Sequence, residues 1–298
     1  MKKYFNILLI LLFVILEIFL LSKSQIVINS FRKTLNICLY NLMPTMFFSI
    51  IISSILIKLN ISNYIPKFII NIFKKLFNIN KNEVIIFILS ILSGYPNNSK
   101  MLINNINLNN IIQYTNFVNP IFLICTVGGS YLNNIKLSLI ILFSHYLSNF
   151  LLGIILRKKN KSNNINDINN NDINVLYEYN IVLKDTIYTL SSIFSNILFF
   201  SIIISLFNNI FKFNILFNSI IIGLIEFSSG IYNICNIDIS LFLKGLLILI
   251  IITFGSFSIH MQIICLNDKI KYIKYLLYRI LNVFICTLIY IILYKLYY

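Results

Sequence analysis

The sequence predicts an all-α polytopic membrane protein, and three observations carry that prediction. Hydrophobic residues fill 58% of the 298 positions and charged residues only 11%, too little polar surface for a soluble chain to cover itself. The apolar residues gather into runs long enough to cross a bilayer: Phe5 to Leu21, Leu35 to Ile57, Ile135 to Leu156, Ile187 to Phe207, Leu241 to Ile264 and Ile280 to Leu293. Other apolar stretches break off early at Gly, Pro or a charge, so re-entrant or broken helices are expected beside about 6–8 transmembrane ones.

Residues 1–30 read as an N-terminal transmembrane helix. "MKKYFNILLILLFVILEIFLLSKS" begins with basic residues like a signal peptide, but its apolar part is too long and no small-residue cleavage site follows. Residues 31–156 form a first membrane repeat. Within it, "YIPKFIINIFKKLF" places apolar residues at 65, 68, 69, 72, 73 and 76 opposite Lys67, Asn71, Lys74 and Lys75, the pattern of a helix lying in the interface. The next run begins at Val84 and stops after about ten residues, half of what a bilayer needs. There "SGYPNNSKML" supplies Gly94 for a sharp change of direction and Pro96 to open a new helix with Asn97, Asn98 and Ser99 at its start.

Residues 157–182 are a polar, Asn-rich linker, "RKKNKSNNINDINNNDINVLYEYN" in its main part, with no helical periodicity. Residues 183–298 form a second repeat and a C-terminal helix. "FFSIIIS" occurs at Phe47 to Ser53 and again at Phe199 to Ser205; each copy precedes a short segment ending in Ser-Gly, at Ser93-Gly94 and Ser229-Gly230. An interrupted run follows each, from Thr115 and from Thr253.

The 24 Lys and Arg against 9 Asp and Glu give a net charge of +15. They cluster beside apolar runs, as in "RKKNK" from Arg157, where positive-inside bias puts them, so nucleic acid is not expected as a partner. The same bias makes the linker cytoplasmic. With "EVIIFILSILSG" re-entrant, the second FFSIIIS helix then starts on the side where the first one ends, an inverted repeat; Lys23, Arg32 and Lys33 fall on the outer side of this arrangement. Five cysteines without metal-type spacing and two histidines leave no metal or cofactor expected.

The interruptions mark the candidate solute-binding residues: Gly94, Pro96, Asn97 and Lys100 in the first break, Asn119 beside Pro120, Glu226 in "GLIEFSSG", and His260 and Gln262 in "FGSFSIHMQ". A carboxylate inside an apolar segment faces a cavity, holds a proton or pairs with a cation; Lys100 and Gln262 are the expected neighbours of Glu226. Asn carries less weight alone, because heavy use of Asn, Ile and Lys with no Trp resembles the coding bias of an AT-rich genome.

These same motifs, "MPTMFFS" from Met43, "SGYPNNSKML" from Ser93, "NFVNPIFLICTVGG" from Asn116, "GLIEFSSG" from Gly223 and "FGSFSIHMQ" from Phe254, occur in order from about Leu35 to Leu266. In this the chain resembles the YlbJ-type sporulation integral membrane proteins of endospore-forming Firmicutes, within the wider nucleoside-recognition or gate-domain group. It departs where Asn98-Ser99 and Gly255-Ser256 replace the family's Gly-Ala and Gly-Gly. The resemblance implies a role in forming the spore cortex, in the mother-cell or forespore membrane.

A transporter or channel-like protein for a small polar solute, nucleoside-like by the resemblance, is the first expectation. The alternative is a non-transporting scaffold that recruits other sporulation proteins, its Glu226 and glycines serving helix packing. An enzyme is not expected, since no paired carboxylates, HExxH or serine–base pair is visible. Membrane lipid and the solute are the expected partners, with other sporulation membrane proteins as further candidates.

Overall fold

A computed structural model describes residues 2–102, 107–159 and 175–298, and the regular elements among them are helices. The first apolar run forms α1 (Lys2–Ser22). After a turn at Lys23, α2 (Ser24–Ile37) passes through a π-helical turn at Cys38–Leu42 into α3 (Met43–Lys58). Pro44 cannot donate to the preceding turn, and the widened turn just before it lets the helix continue. The span therefore starts well before Leu35. Its polar first turns are held by tertiary contact, with Ser30 Oγ donating to Ser201 O at 3.2 Å.

α4 (Lys67–Phe77) is the expected amphipathic helix, with Lys67, Lys74 and Lys75 exposed and Phe77 buried. It meets α5 (Lys81–Ser93) at 88°. Asn80 and Glu83 form a capping box at the start of α5, Asn80 Oδ1 accepting from Glu83 N at 3.0 Å and Glu83 Oε2 from Asn80 N at 2.8 Å. Two short helices follow, α6 (Asn97–Met101) and α7 (Leu108–Ile111). A helix from Pro120 runs into π-helical Phe122–Tyr131 before α8 (Ile135–Leu156).

The second half contains α9 (Val175–Ile210), α10 (Ile215–Ile225), α11 (Phe227–Asn236), α12 (Leu241–Phe254), α13 (Phe257–Leu266) and α14 (Tyr272–Tyr297). α9 begins inside the stretch read as linker, where Glu178 pairs with Lys58; residues 160–174 of that stretch lie outside the described residues. Among the described residues five spans are long and apolar enough to cross a membrane, six if α4 and α5 count as one bent span.

Pairwise contacts set the direction of each element. Ser30 in α2 meets Ser201 near the end of α9, and Lys58 at the end of α3 meets Glu178 near the start of α9 at 2.9 Å. The two FFSIIIS copies therefore run antiparallel. Asn110 Nδ2 donates to Lys159 O at 2.6 Å and Lys271 N to Asn109 Oδ1 at 2.6 Å, which gathers α7, the end of α8 and the start of α14 on one face, here the linker face. On the far face Asn134 Nδ2 donates to Tyr298 Oη at 3.2 Å, and Tyr290 Oη, near the end of α14, to Phe242 O in the first turn of α12 at 3.1 Å.

From the linker face α5 descends roughly 20 Å, turns at Gly94, and the chain returns to the start of α5, where Asn107 Nδ2 donates to Glu83 Oε1 at 2.8 Å. Gly94 is required there: its φ is 72°, and a Cβ would lie 2.6 Å from Asn119 N. Packing of Phe87 on Phe77, Phe117 and Phe150, with ring centroids 5.1 to 5.4 Å apart, anchors this hairpin.

α10 and α11 form the opposing hairpin. A Cβ on Gly230 would lie 2.1 Å from Gly223 Cα, whereas residues seven apart in a continuous helix rise about 10 Å, so the chain reverses between them. Its tip residue Phe227 meets Tyr95, at the tip of the first hairpin, with ring centroids 6.0 Å apart.

The antiparallel arrangement predicts that single cysteines at Asn208 and Asp268, in a chain whose five native cysteines are replaced, label from opposite sides of the membrane. Labelling of both from one side contradicts it.

Candidate functional site

Every break in a helix at membrane depth frees backbone groups that lipid cannot bond. At the far-face hairpin the answer is Glu226, which ends α10 in an extended conformation and is the N-cap of α11. Its Oε1 accepts from Ser228 N at 3.0 Å and its Oε2 from Ser229 N at 2.8 Å, while Ser228 Oγ donates to the same carboxylate. The side chain is fully buried. A carboxylate at a helix N-terminus is opposite in sign to the dipole it meets, and its hydrogen bonds replace those of water.

Asn119 performs the same task in the first half. Its Oδ1 accepts from Ile121 N at 2.9 Å and Phe122 N at 3.2 Å, and its Nδ2 reaches Thr45 O at 3.2 Å and Ser49 Oγ at 3.1 Å on α3. The terminal carbonyls of α5, Leu92 O and Ser93 O, lie 3.5 and 3.4 Å from that Nδ2. One amide thus joins the end of one broken helix to the start of the next.

The end of α12 is held by a residue that the sequence reading passed over, Arg279 of α14. Its Nη1 donates to Thr253 O at 3.4 Å, in the last turn of α12; its Nη2 donates to Gln113 O and, at 3.2 Å, to Asn149 Oδ1. The guanidinium is fully buried, with its Cζ 5.8 Å from the Tyr275 ring centroid. Cations at helix C-termini are favoured by the dipole. His145 completes this layer. Its Nε2 accepts from Val118 N at 3.2 Å, so its Nδ1 carries the proton and faces Thr253 Oγ1 at 3.1 Å.

Arg279 was detectable in principle. The buried residues of α14 are Tyr275, Arg279, Asn282, Cys286 and Tyr290, spaced as one helical face. Lys271 and Lys274 nearby make the stretch read as an interfacial basic rim instead.

No family model, curated protein or solved structure matches the chain. The site is therefore read from its own geometry.

Of the expected residues, Gly94, Asn119 and Glu226 lie at the breaks. Asn97 is buried, its Nδ2 donating to Ser53 Oγ at 3.0 Å, and Pro96, after a cis peptide, precedes α6. Lys100 is not beside Glu226. It reaches α9 on the linker side, donating to Thr189 Oγ1 at 2.9 Å with Asp185 Oδ2 at 3.9 Å. The carboxylate needs no cation, because its own helix supplies its donors. Nor does Gln262 bond to Glu226; Gln262 is buried with Nε2 unpartnered. His260 Nε2 lies 3.0 Å from Phe254 O and its ring packs 5.1 Å from that of Tyr275, on the α12–α13 break.

A cleft of about 270 Å³ leads toward Glu226 from the far face, between α2, α9 and the second hairpin. Ser30, Lys33, Ser201, Ser205, Asn208 and Ser229 line it, and Ser229 is the residue whose N–H caps against Glu226. Lys33 Nζ stands 5.2 Å over the Tyr232 ring at its wall. Among the described residues no group of three His, Cys, Asp or Glu side chains converges as a metal site requires.

Two substitutions test this geometry. Glu226→Gln replaces an acceptor with an NH2 that cannot accept from Ser228 N or Ser229 N, so thermal unfolding of the purified protein should show a loss of about 1–3 kcal/mol; unchanged stability contradicts the capping role. Gly230→Ala places a methyl in the Gly223 backbone and should destabilise by roughly 1–3 kcal/mol or more, read by the same measurement.

Proposed function

We propose that the chain is a transporter or channel-like membrane protein for a small polar solute, in which the two hairpins meet to form the barrier. The observation that carries this reading is the contact of Tyr95 with Phe227 at the tips of hairpins entering from opposite faces. Irregular backbone at this depth is found where it is buried in protein or lines a watery path, and half-helices meeting at midplane are the arrangement secondary transporters use. The polar cleft supplies access from the far face as far as Ser229. The basic segment Arg157–Lys159 favours a cytoplasmic linker face.

The sequence resemblance adds a cellular setting to the proposal: a membrane of the developing spore, with cortex formation depending on the solute moved and a nucleoside-like compound among the first to test. A scaffold that recruits other sporulation proteins would account for the close Gly223–Gly230 packing, but it gives no use to a cleft reaching the hairpin tip.

Purified protein screened by thermal unfolding against nucleosides, amino acids and peptidoglycan precursors should be stabilised by at least one class, by about 2.7 kcal/mol at a hundredfold excess over its dissociation constant. A Phe122→Cys, Phe227→Cys pair at the same contact, oxidised to a disulfide, should stop uptake of that solute into proteoliposomes, and reduction should restore uptake. Stabilisation by none of the classes favours the scaffold.

A further inference from the structure

The interior around Arg279 holds more hydrogen-bonding capacity than the protein uses. Arg279 Nε, Tyr275 Oη, Tyr95 Oη, Gln262 Nε2 and both polar atoms of Asn116 are buried without a hydrogen-bond partner among the described residues. Their side chains are at most 4% exposed. Such groups are rare singly, because an unbonded buried donor keeps its full desolvation penalty.

Several of them share one place. Arg279 Cζ stands 5.8 Å over the Tyr275 ring centroid. Tyr95, at the first hairpin tip, lies within electrostatic reach of Tyr275, Arg279 and Glu226. Asn116 Nδ2 faces the α12–α13 break, 3.6 Å from where a Cβ on Gly255 would stand.

At Arg279 the charge of this place is positive. Arg279 has no carboxylate within ion-pair distance among the described residues; its bonds go to Thr253 O, Gln113 O and Asn149 Oδ1, all neutral. The Glu226 carboxylate, which reaches Tyr95, takes its hydrogen bonds from its own helix N-terminus and not from Arg279. A buried cation held only by neutral acceptors lacks a compensating anion, and its two remaining N–H groups, on Nε and Nη1, are donors suited to an oxyanion.

We propose that Arg279 Nε, Tyr95 Oη, Tyr275 Oη and Asn116 form the binding site for the solute, and that the solute carries an oxyanion, a carboxylate or a phosphate. This deepens the transport reading and rests on it. The oxyanion takes the guanidinium and the two phenols, and the amide of Asn116 bonds the neutral polar remainder. Binding also brings to the first hairpin tip a negative charge that Tyr95 contacts directly, which couples occupancy to the Tyr95–Phe227 barrier.

Matched probes separate this from the broader reading: uridine against uridine 5′-monophosphate, and glutamine amide against glutamine, each pair differing in the anionic group. The purified full chain should gain on the order of 5 °C in unfolding temperature with the anionic member of at least one pair at saturation, and less than a quarter of that with its neutral partner. The phosphate and carboxylate pairs distinguish the two oxyanions. Tyr95→Phe and Tyr275→Phe remove hydroxyls that bond nothing in the protein, so the empty variants should unfold at or above the wild-type temperature while the response to the anion falls at least tenfold in affinity. Arg279→Gln should abolish it.

Equal stabilisation by the neutral members overturns the oxyanion assignment and leaves the transport reading standing. Stabilisation by neither member of either pair overturns the oxyanion assignment; the transport reading falls with it only if the wider solute classes are also silent. An anion response unchanged in both tyrosine variants overturns the site.

Discussion

Broken helices at membrane depth leave N–H and C=O groups that hydrocarbon cannot bond, and the buried side chains of Glu226, Asn119 and Arg279 are placed by that constraint. Glu226 takes the N-terminus of α11, Asn119 joins the end of α5 to the helix beginning at Pro120, and Arg279 takes the C-terminus of α12. Charge follows direction: the carboxylate sits at a positive helix end and the guanidinium at a negative one. The hairpins can therefore stop at half depth because each break has a cap built from side chains already in the apolar segments.

The same constraint orders the packing. A hairpin whose tip is capped from within can approach its own return arm closely, and Gly223 and Gly230 are where backbone meets backbone. The tips then bring aromatic faces together, Tyr95 and Phe122 against Phe227 at 6.0 and 5.6 Å. Around them α3 and α9 run antiparallel, tied at one end by Lys58 and Glu178. Arg279 differs from the other caps in that its three bonds leave two donors and a full charge over, and it is this excess that gives the interior chemistry beyond support.

Much of the fold was legible because its signals are local. The apolar runs give the spans, the period of Lys67 to Phe77 gives the interfacial helix, and Gly94 with Pro96 gives the first turn. The early start of the Ser24–Lys58 span was not legible, since its first turns average near-neutral hydropathy and owe their helix to contact with α9. Glu226 was recognised as interior from its sequence, yet its partner was misassigned: Lys100 belongs to Asp185 and Thr189 on α9, a pairing that depends on how the halves dock. The Ser228 and Ser229 that follow Glu226 were the available hint of a cap. Arg279 was hidden by the lysines around it, although its spacing from Tyr275, Asn282 and Cys286 marks one face of α14.

Residue-resolved amide hydrogen exchange on the protein in detergent or nanodiscs tests the central claim most directly. Ser228, Ser229, Ile121 and Phe122 are first-turn amides, which in an ordinary helix start exchange fast. Capped by Glu226 and Asn119 inside the protein, they should exchange as slowly as the middle of α8, and Glu226→Ala should release Ser228 and Ser229 while leaving Ile121 and Phe122 protected. Fast exchange of all four in the wild-type protein would contradict the account.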